Sequence, residues 1–452
     1  MWASQLLTIV CAAPIDVEHA LARLHREDHG AHGTFVRDGS STSAAPYNAT
    51  APTICTVAPP QRACDLSDMP RDTSYLVRPG GATRCIFSTT TPFQFEVIRG
   101  ASDKVVFFFQ GGGACWDFLS TSIAACNTGA FAQGPQGGIF DRNPESSNPF
   151  RDYTLVHVLY CDGSVHGGNV TRPYRDKAGR PVQQTGYANA RSVVDWVSSQ
   201  IVRGELTTPL SSLVISGCSA GSIGAQLWAD HILTRVAHQR AAVVPDSYAG
   251  VFPSTAEGPL IYDFGFCTSA LLAPLPAAIR EACQQRVLSL HQVTAAVIAR
   301  HPRAAFAHVQ SKTDDVQIAF DEALSADPTI EPATGCSDAE TCFTGPARFY
   351  RMTNLYFELY DERPNHVHFL VQASQHCYLP NHHVYTADPS GASAGGKGGE
   401  RLIDWLARLP LRGANASIAT RCSGAPFQRA QWHGDEYCDA SMAGKVFYAP
   451  DS

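Results

Sequence analysis

The chain carries little charge for its length and no cluster of lysines and arginines. Thirty-four basic against 41 acidic residues leave a formal charge of −7 over 452 residues. Without a basic patch there is no electrostatic footprint for a phosphate backbone, so no nucleic-acid partner is expected. Nowhere does the sequence approach the ~20 consecutive apolar residues of a membrane span, so no transmembrane segment is expected and the protein reads as soluble. CxxC pairs are missing too, although there are 15 cysteines. Neither a zinc site nor a redox dithiol is indicated, and no metal or organic cofactor is called for. Internal repeats are absent as well.

What is present is a hydrophobic content of 44%, typical of a globular protein, broken by 36 glycines and 29 prolines that imply many loops. Cysteines in this number, without metal spacing, read as a disulfide framework made in an oxidising compartment, against the alternative of buried free thiols. Cys55/Cys64, Cys115/Cys126, Cys336/Cys342 and Cys422/Cys438 are near enough in sequence to pair. Residues 1–13, MWASQLLTIVCAA, resemble part of a signal peptide, an apolar core ending in small residues, though they lack the basic n-region. Sequons at Asn48, Asn169 and Asn415 also fit secretion, to the extracellular space or a cell wall. Residues 14–54 read as a leader or weakly ordered arm, and 55–452 as a single domain, expected to be monomeric.

From about residue 75 short apolar runs alternate with helical patterns. The strand candidates are 104–110 (KVVFFFQ), 154–160 (TLVHVLY), 213–216 (LVIS), 241–245 (AAVVP), 305–310 (AFAHVQ) and 368–373 (HFLVQA). Continuous rather than alternating hydrophobicity suits a parallel sheet covered on both faces. Helix candidates at 186–202, 221–237 and 400–409 place apolar residues at three- and four-residue steps. The expected fold is therefore α/β: an α/β-hydrolase-like, doubly wound, mostly parallel sheet with helices on both faces and disulfide-rich insertions. Residues 120–150 and 255–300 are the expected cap or rim segments, and SGASAGGKGG at 390–399 reads as a flexible loop.

One motif stands out in that frame. Gly217-Cys218-Ser219-Ala220-Gly221 satisfies G-x-S-x-G between a strand and an amphipathic helix. Small flanking residues permit the tight turn that holds a serine out at the top of a sheet. The helix N-terminus then offers N–H groups and a positive dipole end to an oxyanion. The plainer reading is a Gly-Ser turn. A nucleophilic serine needs a base, and in this fold an acid and a histidine should follow it at strand ends. Asp314 after AFAHVQ and His376 after HFLVQA meet that requirement, with Asp246, His366, His382 and His383 as competitors. The loop Gln110-Gly111-Gly112-Gly113-Ala114-Cys115-Trp116 is not a phosphate loop, since GxGxxG and Gly-Lys-Ser/Thr are both lacking. Its glycines let backbone N–H groups of Gly112 and Gly113 approach a substrate oxygen, with Ala220 completing an oxyanion hole.

Taken together these segments resemble a known family. FQGGGACW (109–116) resembles the LEGGGWC segment of plant and bacterial pectin acetylesterases and the glycine pair of Notum carboxylesterases. YCDGSVHGG (160–168) is similar to their YCTGDVHWG, GCSAGS to GCSAGG, TDDVQI (313–318) to YDSWQI, and SQHCY (374–378) to FAHC. The five motifs run in the family's order. The resemblance implies a triad of Ser219, Asp314 and His376, and a secreted esterase that removes an acyl group, foremost acetyl, from a polysaccharide such as pectin. Departures fall at Ala114, where the family has Trp and this chain has Trp116 two positions later, and at Ser164 in the second motif. Trp116 and His166 are candidate substrate contacts, and His166 could equally be packing. Two other readings stay open. One is a Notum-like or lipase-like hydrolase of longer acyl esters, and the other a secreted non-catalytic binding module on the same scaffold.

Overall fold

Why the apolar runs are continuous is visible in the central strands. In the computed structural model of the protein, Val105, Phe107 and Phe109 face one hydrophobic layer, and Val106 and Phe108 face another. Successive side chains of a strand point to opposite faces, so a sheet buried on both sides takes apolar residues at every position. The structure describes residues 52–412, apart from 60–62, 88–91, 133, 135–136, 254–255, 326–345 and 390–399. Expectations about residues 1–51, the 390–399 loop, Asn48, Asn415, Cys336, Cys342, Cys422 and Cys438 fall outside the described residues; of the arm expected over 14–54, Thr53 and Ile54 instead belong to a strand.

The strands are β1 (Thr53–Thr56), β2 (Ser74–Arg78), β3 (Phe95–Ile98), β4 (Ala101–Phe109), β5 (Tyr153–Val158), β6 (Val170–Arg175), β7 (Pro181–Gln184), β8 (Ser212–Cys218), β9 (Ala241–Asp246), β10 (Ala305–Ser311) and β11 (His366–Val371). Nine of them form one sheet in the order β1-β2-β3-β5-β4-β8-β9-β10-β11, while β6 and β7 form a separate hairpin. From β5 to β11 every neighbouring pair is parallel, and β3 runs antiparallel between β2 and β5. The six strands expected from sequence are β4, β5 and β8–β11, so the fold is the α/β sheet anticipated.

The longer helices are α1 (Gly186–Val202), α2 (Ala220–Arg235), α3 (Glu257–Asp263), α4 (Ala277–Gln284), α5 (Leu290–Arg300), α6 (Asp315–Ser325), α7 (Pro346–Asp361) and α8 (Leu402–Arg412). α1, α2 and α5 bury Val193, Val197, Leu227, Trp228, Val293 and Val297 in one layer, and α8 buries Ile403, Trp405 and Leu406 in the other. None of the described helices is long and apolar enough to cross a membrane.

After β4 the chain turns to β5 on one side, and β8 takes the other. The strand order therefore reverses between the carboxyl ends of β4 and β8. Such a switch point leaves a crevice where the two loops diverge, and ligands of open α/β sheets bind there. Five disulfides join described cysteines: Cys55–Cys64, Cys85–Cys161, Cys115–Cys126, Cys218–Cys377 and Cys267–Cys283. Two of them, Cys55–Cys64 and Cys115–Cys126, are pairings anticipated from proximity in sequence.

A buried ion pair supports the sheet beside the switch point. Glu96 on β3 faces His157 on β5, with Oε2 2.9 Å from Nδ1, and both side chains are fully buried. Burial pushes the Glu96 carboxyl up, but the hydrogen bond and charge of His157, with Ser74 and the Gly134 N–H, outweigh it and hold the carboxyl below its ordinary value. A depressed carboxyl contributes stability that is complete above its unfolded value of about 4.3 and is lost as pH falls through the lowered folded value. Replacing His157→Phe strands the carboxylate, so stability at pH 7 should drop by roughly 3–5 kcal/mol. In urea unfolding the gap from wild type should narrow toward pH 4, as Glu96 takes up a proton; a gap that does not depend on pH would contradict this account.

Candidate active site

Ser219 sits between β8 and α2 with φ 59° and ψ −127°, a conformation that costs a non-glycine residue about 1–3 kcal/mol. Its surroundings leave little choice. A Cβ on Gly217 would stand 2.2 Å from the Gly221 carbonyl oxygen, and one on Gly221 would stand 1.9 Å from the Phe109 carbonyl oxygen. Both glycines of the motif are thus required by close approach of backbone to backbone. α2 starts at Ala220, so its N-terminal dipole end lies beside the serine.

Phe109 ends β4, and the glycine loop follows it. Gly113 has φ 66°, and a Cβ there would meet the Ala125 carbonyl oxygen at 2.1 Å. The loop is pinned on both sides of the Gly113 amide: Asn127 N–H donates to the Gly112 carbonyl at 2.8 Å, and Ala114 N–H donates to Ala125 at 3.0 Å. Tyr160 Oη donates to the Gly113 carbonyl at 2.9 Å. Gly113, Ala114, Trp116, Ser219, Ala220 and His376 all line one cavity. Gly112 lies one residue behind that wall.

Asp314 and His376 come from neighbouring strand ends, after β10 and β11. His376 Nδ1 stands 2.9 Å from both Asp314 carboxylate oxygens. The carboxylate is fully buried and accepts Gln317 N–H at 2.9 Å and Gln317 Nε2 at 2.8 Å. Asp314 thereby caps α6 while it faces the imidazole, so helix and histidine fix the same carboxylate.

The remaining support was missed in the sequence. Asp246, at the end of β9, competed there for the role of catalytic acid. In the structure its carboxylate accepts the N–H groups of Tyr378 and Leu379 at 2.8 and 2.7 Å, holding the loop that carries His376. Its main-chain carbonyl accepts Ser219 N–H at 3.1 Å, and the next residue, Ser247, accepts Cys377 N–H on its hydroxyl at 2.8 Å. Burial raises the Asp246 carboxyl to about 6 against these hydrogen bonds and the charge of His376. Alongside runs the Cys218–Cys377 disulfide, joining the neighbour of Ser219 to the neighbour of His376. Both sulfurs and a ring nitrogen of His376 lie within 4.8 Å of one another. Two cysteines each adjacent to a candidate site residue were a readable sign, but their pairing over 159 residues was not.

The other candidates lie elsewhere. His366 is at the opposite end of β11, facing Asp361 at 2.6 Å and His308 at 3.0 Å, and His382 and His383 are exposed. His166 packs behind the glycine loop and does not line the cavity. Its Nε2 contacts the Gln110 carbonyl at 2.8 Å, its ring lies against Phe109 and Tyr160, and burial lowers it to about 4. A neutral, fully enclosed imidazole there braces the loop, in accord with the packing role left open for it beside substrate contact. Trp116 does line the cavity, with Phe320 of α6 at 6.3 Å between ring centres.

Every residue of this constellation lies within residues 81–415, which match the family model described as Pectinacetylesterase. The chain belongs to the pectinacetylesterase family. Its similarity to individual members is distant. Pectin acetylesterase 7 of Arabidopsis thaliana is 23% identical over 193 residues, 40% of this chain and 42% of that protein, so the match spans less than half the length of the relative. Two crystal forms of the Wnt deacylase Notum from Drosophila align over 70% and 72% of this chain and 88% and 91% of theirs, at 15% identity and TM-scores of 0.48 and 0.47.

Two outcomes follow for this family member. Gly221→Ala should abolish labelling of Ser219 by a fluorophosphonate, because the added methyl drives β4 and α2 apart; labelling at the wild-type rate would show that the contact is slack. Cys218→Ala combined with Cys377→Ala should slow labelling by about ten- to a hundredfold, the effect expected of an ångström-scale displacement of a reacting group. The residual rate should be insensitive to added thiol.

Proposed function

We propose that the protein is a serine carboxylesterase in which Ser219 is the nucleophile, His376 the general base and Asp314 the group that orients it. The observation that supports this most directly is that Ser219 and His376 stand on the wall of one cavity while Asp314 holds the Nδ1 side of the imidazole. With Nδ1–H donating to the carboxylate, Nε2 takes the proton from Ser219 Oγ as the oxygen attacks the ester carbonyl. The backbone N–H groups of Gly113 and Ala220, with Gly112 behind them, receive the negative oxygen. Each such donor contributes on the order of 3 kcal/mol to the transition state. The imidazolium returns its proton to the departing alcohol, leaving an acyl-enzyme. Water then attacks with His376 again as base, releasing the acid and regenerating Ser219.

Cavity shape supports a choice of acyl group. Val251, Phe252, Leu260, Phe264, Phe266 and Leu324 are among its walls, an apolar lining more extensive than one methyl group can touch. We therefore favour an acyl chain longer than acetyl, received against this apolar lining. A second reading, removal of acetyl groups from a polysaccharide, is favoured by membership of the pectinacetylesterase family and by the name of the Arabidopsis relative. Cystine-rich architecture and the exposed sequon at Asn169 support passage through a secretory pathway.

Chain-length preference on p-nitrophenyl esters separates the two readings: kcat/KM rising from acetate to octanoate supports the apolar pocket as acyl site, and a sharp optimum at acetate supports the second. Ser219→Ala should lower kcat by at least about 10⁴-fold with the fold intact. Retained turnover would remove Ser219 from the mechanism, whereas a wild-type protein without turnover would leave a binding module as the better description.

A further inference from the structure

At the end of β11 remote from Ser219, three histidines and one carboxylate meet inside the protein. His366 and His368 are two residues apart on this edge strand and so project from one face of it, and His308 on β10 is the register partner of His368. Asp361 closes α7 opposite them. Its Oδ1 lies 2.6 Å from His366 Nδ1, and its Oδ2 lies 3.3 Å from His368 Nδ1. From His366 the contacts run inward: Nε2 stands 3.0 Å from His308 Nδ1, and His308 Nε2 stands 3.3 Å from Gln226 Oε1. The Gln226 amide is oriented by its other partners, since Nε2 donates to the Ser222 and Tyr248 carbonyls and Oε1 accepts the Thr294 hydroxyl at 2.8 Å.

Counting hydrogens along this chain exposes a deficit. Gln226 Oε1 and the Asp361 carboxylate are acceptors at its two ends, and the two imidazoles between them supply one N–H each when neutral, for three contacts. With Gln226 Oε1 as a fixed acceptor, His308 donates through Nε2 and receives at Nδ1, so His366 must donate through its own Nε2. That turns the His366 Nδ1 lone pair toward Asp361 Oδ1, acceptor against acceptor, unless a cation lies there. We propose that Asp361, His366 and His368 bind a divalent transition-metal ion of the zinc type, which fastens the end of α7 to the edge strand of the sheet. Ligand atoms of the three lie within 4.8 Å of one another. Donors around a tetrahedral ion at about 2.0–2.1 Å stand roughly 3.3 Å apart, so the carboxylate has to shift by less than about 1 Å on its His366 side. Two imidazoles and a carboxylate suit zinc better than calcium or magnesium, which prefer oxygen alone. His366 keeps an N–H for His308, the outer partnership usual for a metal-bound histidine. A cation also offsets a carboxylate placed at the negative end of a helix. The Asp361 side chain is 14% exposed, so the site opens to solvent on that side, whereas a proton in place of the ion would leave an imidazolium on the fully buried His366 ring. No cysteine takes part, and the site is independent of the esterase reading.

The test is a zinc titration of the full-length protein after stripping with EDTA, with bound metal read by atomic emission and affinity by competition with a chromophoric chelator. Wild type should bind zinc stoichiometrically, and its Tm should rise by at least about 2 °C at a free zinc concentration of about 100 Kd. Asp361→Ala and His368→Gln should each weaken binding by more than the ~10–100-fold that loss of an outer partner costs, and should abolish the Tm shift. Cobalt in place of zinc should show the visible absorption of a four-coordinate site in wild type and lose it in both variants. The double variant His382→Gln with His383→Gln, which removes an exposed pair, should bind as wild type does. The inference is overturned if wild type takes up no stoichiometric zinc, in which case the chain of histidines holds a proton instead. It is equally overturned if Asp361→Ala and His368→Gln bind as tightly as wild type, or if binding is lost with His382 and His383. Should His368→Gln fail to fold, Asp361→Ala, at the partly exposed helix end, still decides.

Discussion

The approach of Gly221 to the Phe109 carbonyl governs the site more than any side chain. Phe109 pairs with Gly217 in the β4/β8 ladder, and the start of α2 folds back over the same point. The glycine loop leaves β4 there and Ser219 leaves β8 there. Backbone contact without intervening side chains locks the two loops to one sheet register. The unfavourable φ at Ser219 is sustained by that ladder rather than by the turn itself, because the residues on either side have no room to relax. A nucleophile and its oxyanion donors must be preorganised together, and the proposed pair, Ser219 and the glycine loop, both follow from two adjacent parallel strands.

The histidine has a different kind of support. β11 is three strands away from β8, so no hydrogen-bond ladder sets the distance between His376 and Ser219 directly. β9 and the disulfide bridge that gap. Asp246 and Ser247 hold the main chain of residues 377–379, the Asp246 carbonyl holds Ser219 N–H, and Cys218–Cys377 closes the loop covalently. Asp246 is a buried acid employed for its acceptor oxygen, and burial raises its proton affinity in consequence. The same residue type plays two parts at the ends of two neighbouring strands: Asp314 faces an imidazole, and Asp246 shapes the loop that presents it.

Much of this was legible in the sequence, and the division is physical. Strands buried on both faces leave unbroken apolar runs, so β4, β5 and β8–β11 could be read, and α1 was found at its observed bounds of Gly186–Val202. Residues 53–98 were not read, because β1–β3 are only four or five residues long at the margin of the sheet and are anchored by Cys55–Cys64 and Cys85–Cys161 as much as by pattern. That Ser219 and His376 would share a cavity, with Asp314 on the imidazole, was legible because all three follow strand ends at one edge of the sheet. His166 was ambiguous for a related reason: a histidine beside a glycine loop looks the same in sequence whether it faces substrate or, as here, the Gln110 carbonyl. Asp246 and the long-range disulfide were beyond reach, since their significance lies in which distant amides and sulfurs they meet.

The substrate question belongs to a third layer. In the proposed mechanism, triad and oxyanion loop determine that an acyl group is transferred, and they would serve acetyl or longer chains equally. What differs is the wall contributed by the loop after β9, α3, the segment to Leu290, and α6. These elements lie outside the sheet ladder, and Cys267–Cys283 ties the α3–α4 region internally. Their contacts with the core are side-chain contacts, which tolerate substitution more easily than the backbone contact at Gly221. A family can therefore keep its reaction while its acyl pocket deepens or acquires polar groups. Val251, Leu260 and Leu324 stand on this wall, and Ser219 stands beside the backbone contact at Gly221, where no side chain fits.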